Sequence, residues 1–257
     1  MSDDRSLPLG KTVWHDLMTT DLAKALRYYQ DLFGWEIKSV DMGPAGTYPM
    51  VHVAGDDWGG FVELDASHRG IPSHWVPYVV VESVDRAVEL AERLGGKVAV
   101  PGRDIPGVGR FAVVVDPTGG VSSPFRPEKP AGEGYQGLPR PGTFCWEELL
   151  ATDPESAALF YGEVYDWKVI SQEQPGMGTY HHWKRGDKDA GGMLHKPAGT
   201  GPSAWLPYIA VDDVEAKAAR VRELGGKVLR EAAEVPGIGR FAVTADPTGA
   251  IVGLFKP

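Results

Sequence analysis

"IPGVGRFAVVVDPTG" (Ile105–Gly119) and "VPGIGRFAVTADPTG" (Val235–Gly249) are one phrase written twice. The first copy contains Gly107-Val108-Gly109-Arg110-Phe111-Ala112, a G-x-G-x-x-A pattern. Such a pattern grips a dinucleotide only where it follows a strand and opens a helix, whose free N–H groups hold the pyrophosphate. Here "RFAVVVD" follows, short and β-branched, so the loop opens a strand and the phosphate reading falls. "DPTG" places proline second and glycine fourth, as a type I turn prefers, and marks a corner between strands. The phrase is scaffold. Its recurrence is the useful signal.

Working outward, Trp75–Gly119 and Trp205–Gly249 align without a gap at an offset of 130, with 21 of 45 residues identical. Upstream, "WHDLMTTD" from Trp14 pairs with "WEELLATD" from Trp146 at an offset of 132. The chain is therefore two copies of one unit, and a repeat of this kind organises the whole fold. Arg126–Gly142, rich in Pro and Gly, reads as the connection. The boundaries expected are 1–127, a linker at 128–139, and 140–257.

Within each copy a weaker repeat runs. A strand at His15–Thr19 leads to a helical pattern from Asp21 to Phe33, and a strand at Val76–Val81 leads to one from Val84 to Leu94. Asp21 and Ser83 are suited to cap those helices, since their side-chain oxygens accept from first-turn N–H groups. Asp153-Pro154-Glu155 is a stronger start, with a cap, a proline at the first helical position and an acid on the positive helix end. Short β-like runs follow each helix, so each half reads β-α-β-β-β twice.

Composition bounds the function. Among 257 residues, 42% are hydrophobic and 24% charged, with a net charge of −9 and no basic cluster, which argues against nucleic acid. No segment approaches the length needed to span a bilayer and the start has no apolar signal core, so a cytoplasmic protein with no membrane partner is expected. The lone cysteine, Cys145, excludes an internal disulfide or thiolate cluster and reads as a small core residue. No G-x-S-x-G elbow or Cys-His pairing suggests a nucleophile.

Four β-α-β-β-β modules, helices ending in "LGG", then "PGxGRFA" and "DPTG" before a last strand, resemble the vicinal oxygen chelate superfamily of glyoxalase I, bleomycin-resistance proteins and extradiol dioxygenases. The resemblance spans roughly residues 10–127 and 140–257 and is closest to the tandem two-domain bacterial form. It implies an α+β fold in which four βαβββ modules form two tandem glyoxalase-like sheet cups. It also implies metal ligands, in the members that use them, on the first and last strands of each module. Carried over, those positions hold His15 and Glu147 on the first strands of the first modules and Glu63 and His195 on their last strands. On the second modules they fall on Val76 and Leu206, then Ser123 and Gly253, none a typical ligand. Two of four positions are lost in each half.

Imidazole with carboxylate can hold a divalent metal, but useful sites normally need three protein ligands. The expectation is thus no cofactor and no metal site. Tyr78 and Tyr208, which share the ligand face with Val76 and Leu206 by alternation, give each cup an aromatic wall with a polar tip. Trp75 and Trp205 could line the same wall or close the sheet. The leading expectation is a small-molecule-binding protein, monomer or homodimer, sequestering or handling an aromatic or reactive metabolite through His15, Glu147, Tyr78, Tyr208, Glu63 and His195. The alternative is a glyoxalase-I-like lyase acting on an α-oxoaldehyde adduct, with Glu147 as the candidate proton carrier.

Overall fold

A computed structural model describes residues 7–43, 46–129, 137–174, 178–196, 199 and 201–257. The first half holds β1 (Thr12–Thr19), α1 (Leu22–Phe33), β2 (Glu36–Asp41), β3 (Thr47–Val53) and β4 (Asp56–Glu63). It continues with β5 (His74–Val80), α2 (Val84–Arg93), β6 (Lys97–Ile105), β7 (Gly109–Val115) and β8 (Val121–Pro127). The second half repeats this as β9 (Phe144–Ala151), α3 (Pro154–Tyr165), β10 (Lys168–Gln174), β11 (Gly178–Arg185) and β12 (Lys188–His195). Last come β13 (Ala204–Ala210), α4 (Val214–Glu223), β14 (Lys227–Val235), β15 (Gly239–Ala245) and β16 (Ile251–Lys256). The four β-α-β-β-β modules are thus present. Most of the expected linker, 130–136, lies outside the described residues.

The strands hydrogen-bond in two eight-stranded sheets, one per sequence half, ordered β2-β3-β4-β1-β5-β8-β7-β6 and β10-β11-β12-β9-β13-β16-β15-β14. Within each module the first and last strands run parallel, β1 with β4 and β5 with β8, as the crossover helix between them requires. The residues just ahead of β1 and β9 bond to the ends of β5 and β13: Gly10 N donates to Val80 O and Val80 N to Lys11 O, repeated as Gly142 N to Ala210 O and Ala210 N to Thr143 O.

Helix starts follow the capping chemistry. Asp21, Ser83, Asp153 and Asp213 each accept from a backbone N–H three residues on, and Pro154 opens α3. On α1 the buried positions are Ala25, Tyr28, Tyr29 and Leu32, one face of a 3.6-residue period.

Packing divides the chain into two compact units, and the division cuts across the sequence halves. One contains α2 and α3 with β6–β8 and β10–β12; its core gathers Val79, Ala91, Val114, Leu149, Phe160, Tyr161, Trp167, Trp183 and Trp205. The other contains α1 and α4 with β2–β4 and β14–β16; its core gathers Leu17, Tyr29, Leu32, Trp35, Phe61, Trp75, Phe144, Ile209 and Leu254. Trp75 and Trp205 are 2% exposed and belong to these helix-side cores, which settles their alternatives in favour of packing.

The repeated phrase does what its turn chemistry dictates. Gly107, at φ +76, turns the chain from β6 into β7, where Val108 N bonds Ile105 O. "DPTG" turns β7 into β8: Gly119 N bonds Asp116 O, and Asp116 Oδ1 accepts from Thr118 N, Thr118 Oγ1 and Gly120 N.

Candidate functional site

Side chains alternate across a strand, so each sheet has a helix-covered face and a helix-free face. On β1, Leu17 belongs to the core under α1; its alternation partners His15 and Thr19 share that face, while Trp14, Asp16 and Met18 take the other. On β9, Leu149 and Ala151 belong to the core under α3, so Glu147 faces the helices and Glu148 does not.

This parity corrects the first-strand expectations. His15, 4% exposed, lies flat on the Phe144 ring with centroids 3.8 Å apart and planes 2° apart. Its Nδ1 is 3.3 Å from Trp58 O. Glu147 is 6% exposed on the face that carries Leu149. Nor does the sheet bring the expected pairs together. In the β1–β4 ladder His15 lies opposite Gly59 and Glu63 opposite Thr19, four residues further along. At about 3.3 Å per residue that is about 13 Å. Glu63 Oε1 instead accepts from Leu22 N at the start of α1. His195 lies opposite Ala151, again four residues past Glu147, and is exposed at the strand end. The expectation failed because the loops ahead of β4 and β12 leave register open, and a one-residue error on β1 moves a side chain through the sheet.

The residues that sequence reasoning passed over are the neighbours, Asp16 and Glu148. In the α1–α4 unit, Asp16 is 6% exposed and its Oδ1 accepts from the Tyr48 hydroxyl at 2.5 Å. Trp14 Nε1 donates both to that Tyr48 oxygen, at 2.9 Å, and to Asp16 Oδ1, at 3.1 Å. In the α2–α3 unit the same motif returns: the Tyr180 hydroxyl donates to Glu148 Oε2 at 3.1 Å, and the Tyr180 ring meets His182 edge-on at 4.9 Å. Both tyrosines lie over a glycine. A Cβ on Gly60 would sit 2.0 Å from the Tyr48 oxygen, and one on Gly192 would sit 1.9 Å from the Tyr180 oxygen. The signal was available: Asp16 and Glu148 are two residues on from Trp14 and Trp146, on the face opposite apolar Leu17 and Leu149.

The second-module tyrosines lie on the helix-free face, as alternation implied. Tyr78 packs with Phe111 and Phe125 at centroid separations of 5.9 and 6.2 Å, and the Arg103 guanidinium sits 4.8 Å over the Phe111 ring. In the other unit, Tyr208 meets Phe241 at 6.3 Å, with the Arg230 guanidinium 4.8 Å over that ring. Arg103 and Arg230 are 127 positions apart while the phenylalanines are 130 apart, so the arrangement arises from non-equivalent positions in bulged strands.

The remaining resemblance-derived positions can be tested as metal ligands. Ser123, opposite Tyr78 in register and fully buried, spends its hydroxyl hydrogen on Ala112 O at 2.6 Å. Gly253, opposite Tyr208, has the Tyr208 ring over it; a Cβ there would lie 2.2 Å from that ring, leaving no room for a side chain. Among the described residues no group of three His, Cys, Asp or Glu side chains gathers as a metal set. This donor set does not fit a three-ligand divalent centre. Cys145 is half-buried, its thiol directed at Tyr208 O, 3.3 Å away.

Comparison with known proteins agrees with this architecture. Residues 11–121 match the glyoxalase/bleomycin resistance protein/dioxygenase superfamily and residues 145–255 the glyoxalase-like domain. The chain is 35% identical over 250 residues to the Mycobacterium tuberculosis protein named "Putative glyoxylase CFP32", covering 96% of this chain and 95% of that one. It is 30% identical to the anthracycline biosynthesis protein DnrV of Streptomyces peucetius, covering 94% and 91%. Among solved structures, the Mn(II)-bound glyoxalase of Novosphingobium aromaticivorans superposes with a TM-score of 0.67 at 16% identity, over 96% of this chain and 82% of that one. The 2,3-dioxygenase LapB of Pseudomonas sp. KL28 gives 0.65 at 11%, over 98% and 93%. At those identities the structures speak to fold alone. Among the described residues, no helix is long and apolar enough to cross a membrane.

Proposed function

The chain belongs to the glyoxalase/bleomycin resistance protein/dioxygenase superfamily, and on that premise we propose that it binds a small, flat aromatic metabolite on its helix-free sheet faces without a resident metal. The observation that carries this reading is the fate of the last-strand positions. Tyr208 covers Gly253, and Ser123 is hydrogen-bonded back to the backbone. Aromatic surface stands where a family metal enzyme would offer a carboxylate.

Two kinds of surface serve a ligand there. Half-buried Tyr78 and Phe125, backed by the buried Phe111, offer apolar surface suited to a conjugated ring, and separately the buried Tyr208 and Phe241 offer a narrower one, each with a guanidinium at hand for an acidic substituent. The Tyr48–Asp16 and Tyr180–Glu148 pairs fix phenol groups in one orientation, so that polar contacts need no reorganisation on binding. Similarity to an anthracycline biosynthesis protein supports an aromatic ligand class, and similarity to a glyoxylase supports the family's lyase chemistry as the competing reading.

Metal content and ligand binding together decide. Protein dialysed against a chelator and then buffer is expected to lack stoichiometric divalent metal while quenching its tryptophan emission on titration with a hydroxyanthraquinone. Tyr78→Ala and Tyr208→Ala should each weaken the binding of the corresponding unit by about tenfold, the value of one lost aromatic contact. A stoichiometric metal that survives dialysis, or hydroxyanthraquinone affinity unchanged in the double variant, overturns the proposal.

A further inference from the structure

The α2–α3 unit contains a cavity of about 640 Å³, lined where β5 leads into α2 and where α3 ends. Its volume lies in the range of small-molecule pockets. What it would hold can be read from the α1–α4 unit, where the repeat has filled the corresponding place with two cations.

In that unit Lys217 reaches from α4 to the end of α1, and its ammonium donates to Leu32 O at 2.5 Å. Arg140 donates to Ala54 O at 2.6 Å and pairs with Asp56 Oδ2 at 2.8 Å. Both side chains place positive charge on backbone carbonyls, and the first sits at the negative end of a helix dipole. The repeat offsets give the counterparts in the α2–α3 unit. Lys217 corresponds to Ala87 (217 − 130) and Arg140 to Pro8 (140 − 132). Leu32 corresponds to Val164 (32 + 132) and Ala54 to Gly186 (54 + 132). Neither cation is kept at its place, while Arg86 and Arg185 enter the wall where the other unit has Ala216 (86 + 130) and Val53 (185 − 132). Ala87, Val164 and Gly186 all line the cavity.

The charge of the wall agrees. Glu82, Glu163 and Asp166 line it against Arg86 and Arg185, and Arg86 is already ion-paired with Glu89 at 3.3 Å. We propose that this cavity is a binding site for a small aliphatic amine, whose ammonium takes the place at the end of α3 that the Lys217 ammonium takes at the end of α1. The alkyl portion would lie along Ala87, Leu90 and Val164. Tyr78, Phe111 and Phe125 are not part of its lining.

The test is thermal unfolding of the full chain with 1,4-diaminobutane against 1,4-butanediol, a neutral analogue of the same length, at matched ionic strength. At ten times its Kd the diamine should raise Tm by about 3 °C, and the diol should not. Ala87→Lys should raise Tm without ligand and abolish the diamine shift, because the variant supplies its own ammonium. Ala87→Met, which fills the space without charge, should abolish the shift with no such rise, and it decides the matter if the lysine variant does not fold. Hydroxyanthraquinone quenching should be unchanged in Ala87→Met. No diamine shift up to about 10 mM, a shift matched by the diol, or a shift that persists in Ala87→Met overturns the proposal.

Discussion

Asp116 and Asp246 open the same tetrapeptide and hold it the same way, yet the cores beneath them are finished differently. Each Oδ1 accepts from the Thr N–H and hydroxyl two residues on and from the N–H four residues on, at 2.6, 2.7 and 3.1 Å for Asp116 and 2.7, 2.7 and 3.1 Å for Asp246. In the α2–α3 unit the second oxygen is also engaged: Tyr161 donates to Asp116 Oδ2 at 2.8 Å, and Trp205 Nε1 donates to the Tyr161 oxygen at 3.1 Å. In the α1–α4 unit the counterparts Tyr29 Oη, Trp75 Nε1 and Asp246 Oδ2 are buried and, among the described residues, fall short of full hydrogen-bond geometry, although Trp75 and Asp246 still act on the Tyr29 phenol as looser side-chain contacts. They are close enough for the carboxylate to act through space. Burial first, and the nearby Asp246 or Asp116 carboxylate second, push both phenols well above their ordinary range. The turn is written in four residues; the bond beneath it depends on how a whole core packs.

The largest effects are expected at the aspartates. Asp116→Ala removes the three turn bonds and leaves the buried Tyr161 hydroxyl without its acceptor, so it should cost about 3–5 kcal/mol. Asp246→Ala removes the turn bonds and only a looser contact with Tyr29, and should cost about 2 kcal/mol. Urea unfolding midpoints measure both, and equal losses would mean that the Tyr161 bond adds nothing.

The tyrosines should give smaller losses. Tyr161→Phe leaves Asp116 Oδ2 and Trp205 Nε1 unpaired and should destabilise by about 1–3 kcal/mol. Tyr29→Phe deletes a hydroxyl whose contacts with Asp246 and Trp75 are looser, and should cost less than Tyr161→Phe, within about 0.5 kcal/mol of the parent. A large loss at Tyr29 would show that the two clusters are bonded alike in solution.

Scaffold was far more legible than site, and the reason is physical. Caps, turns and the β-branched run after Gly109 are local, set by residues within four positions of one another, so Asp21, Ser83, Asp153 and the "DPTG" corners could be read directly. The tandem α+β modules followed from the repeat. Strand parity was harder: His15 and Asp16 are adjacent polar residues, and only the placement of Leu17 under α1 assigns them to opposite faces. Register was harder still, since Glu63 and His195 depend on loops whose closure the residues do not announce. Tyr78 and Tyr208 were placed on the correct face because the apolar positions flanking them, Val79 and Ile209, alternate without ambiguity. The pairing of α2 with α3 and α1 with α4 leaves no local trace, because it depends on which helix covers which core.

The smallest effect expected is a pH dependence confined to one copy. His74 opens β5, with Nδ1 2.8 Å from Pro72 O, and its counterpart Ala204 (74 + 130) cannot titrate. Burial holds the His74 imidazole below its ordinary range, and the Pro72 carbonyl opposes that shift only in part. A histidine depressed in the folded state binds fewer protons there than in the unfolded chain, so its stabilising contribution is complete above the unfolded value of about 6.5 and is lost as pH falls below it. His74→Ala should therefore flatten the decline in Tm between about pH 6.5 and 5 relative to the parent, while leaving the profile above about pH 7 unchanged in shape. The difference between the two profiles isolates this group from every other histidine. If the profiles run parallel through that window, the imidazole is as solvated in the folded protein as in the unfolded chain, and the copies do not differ at this strand.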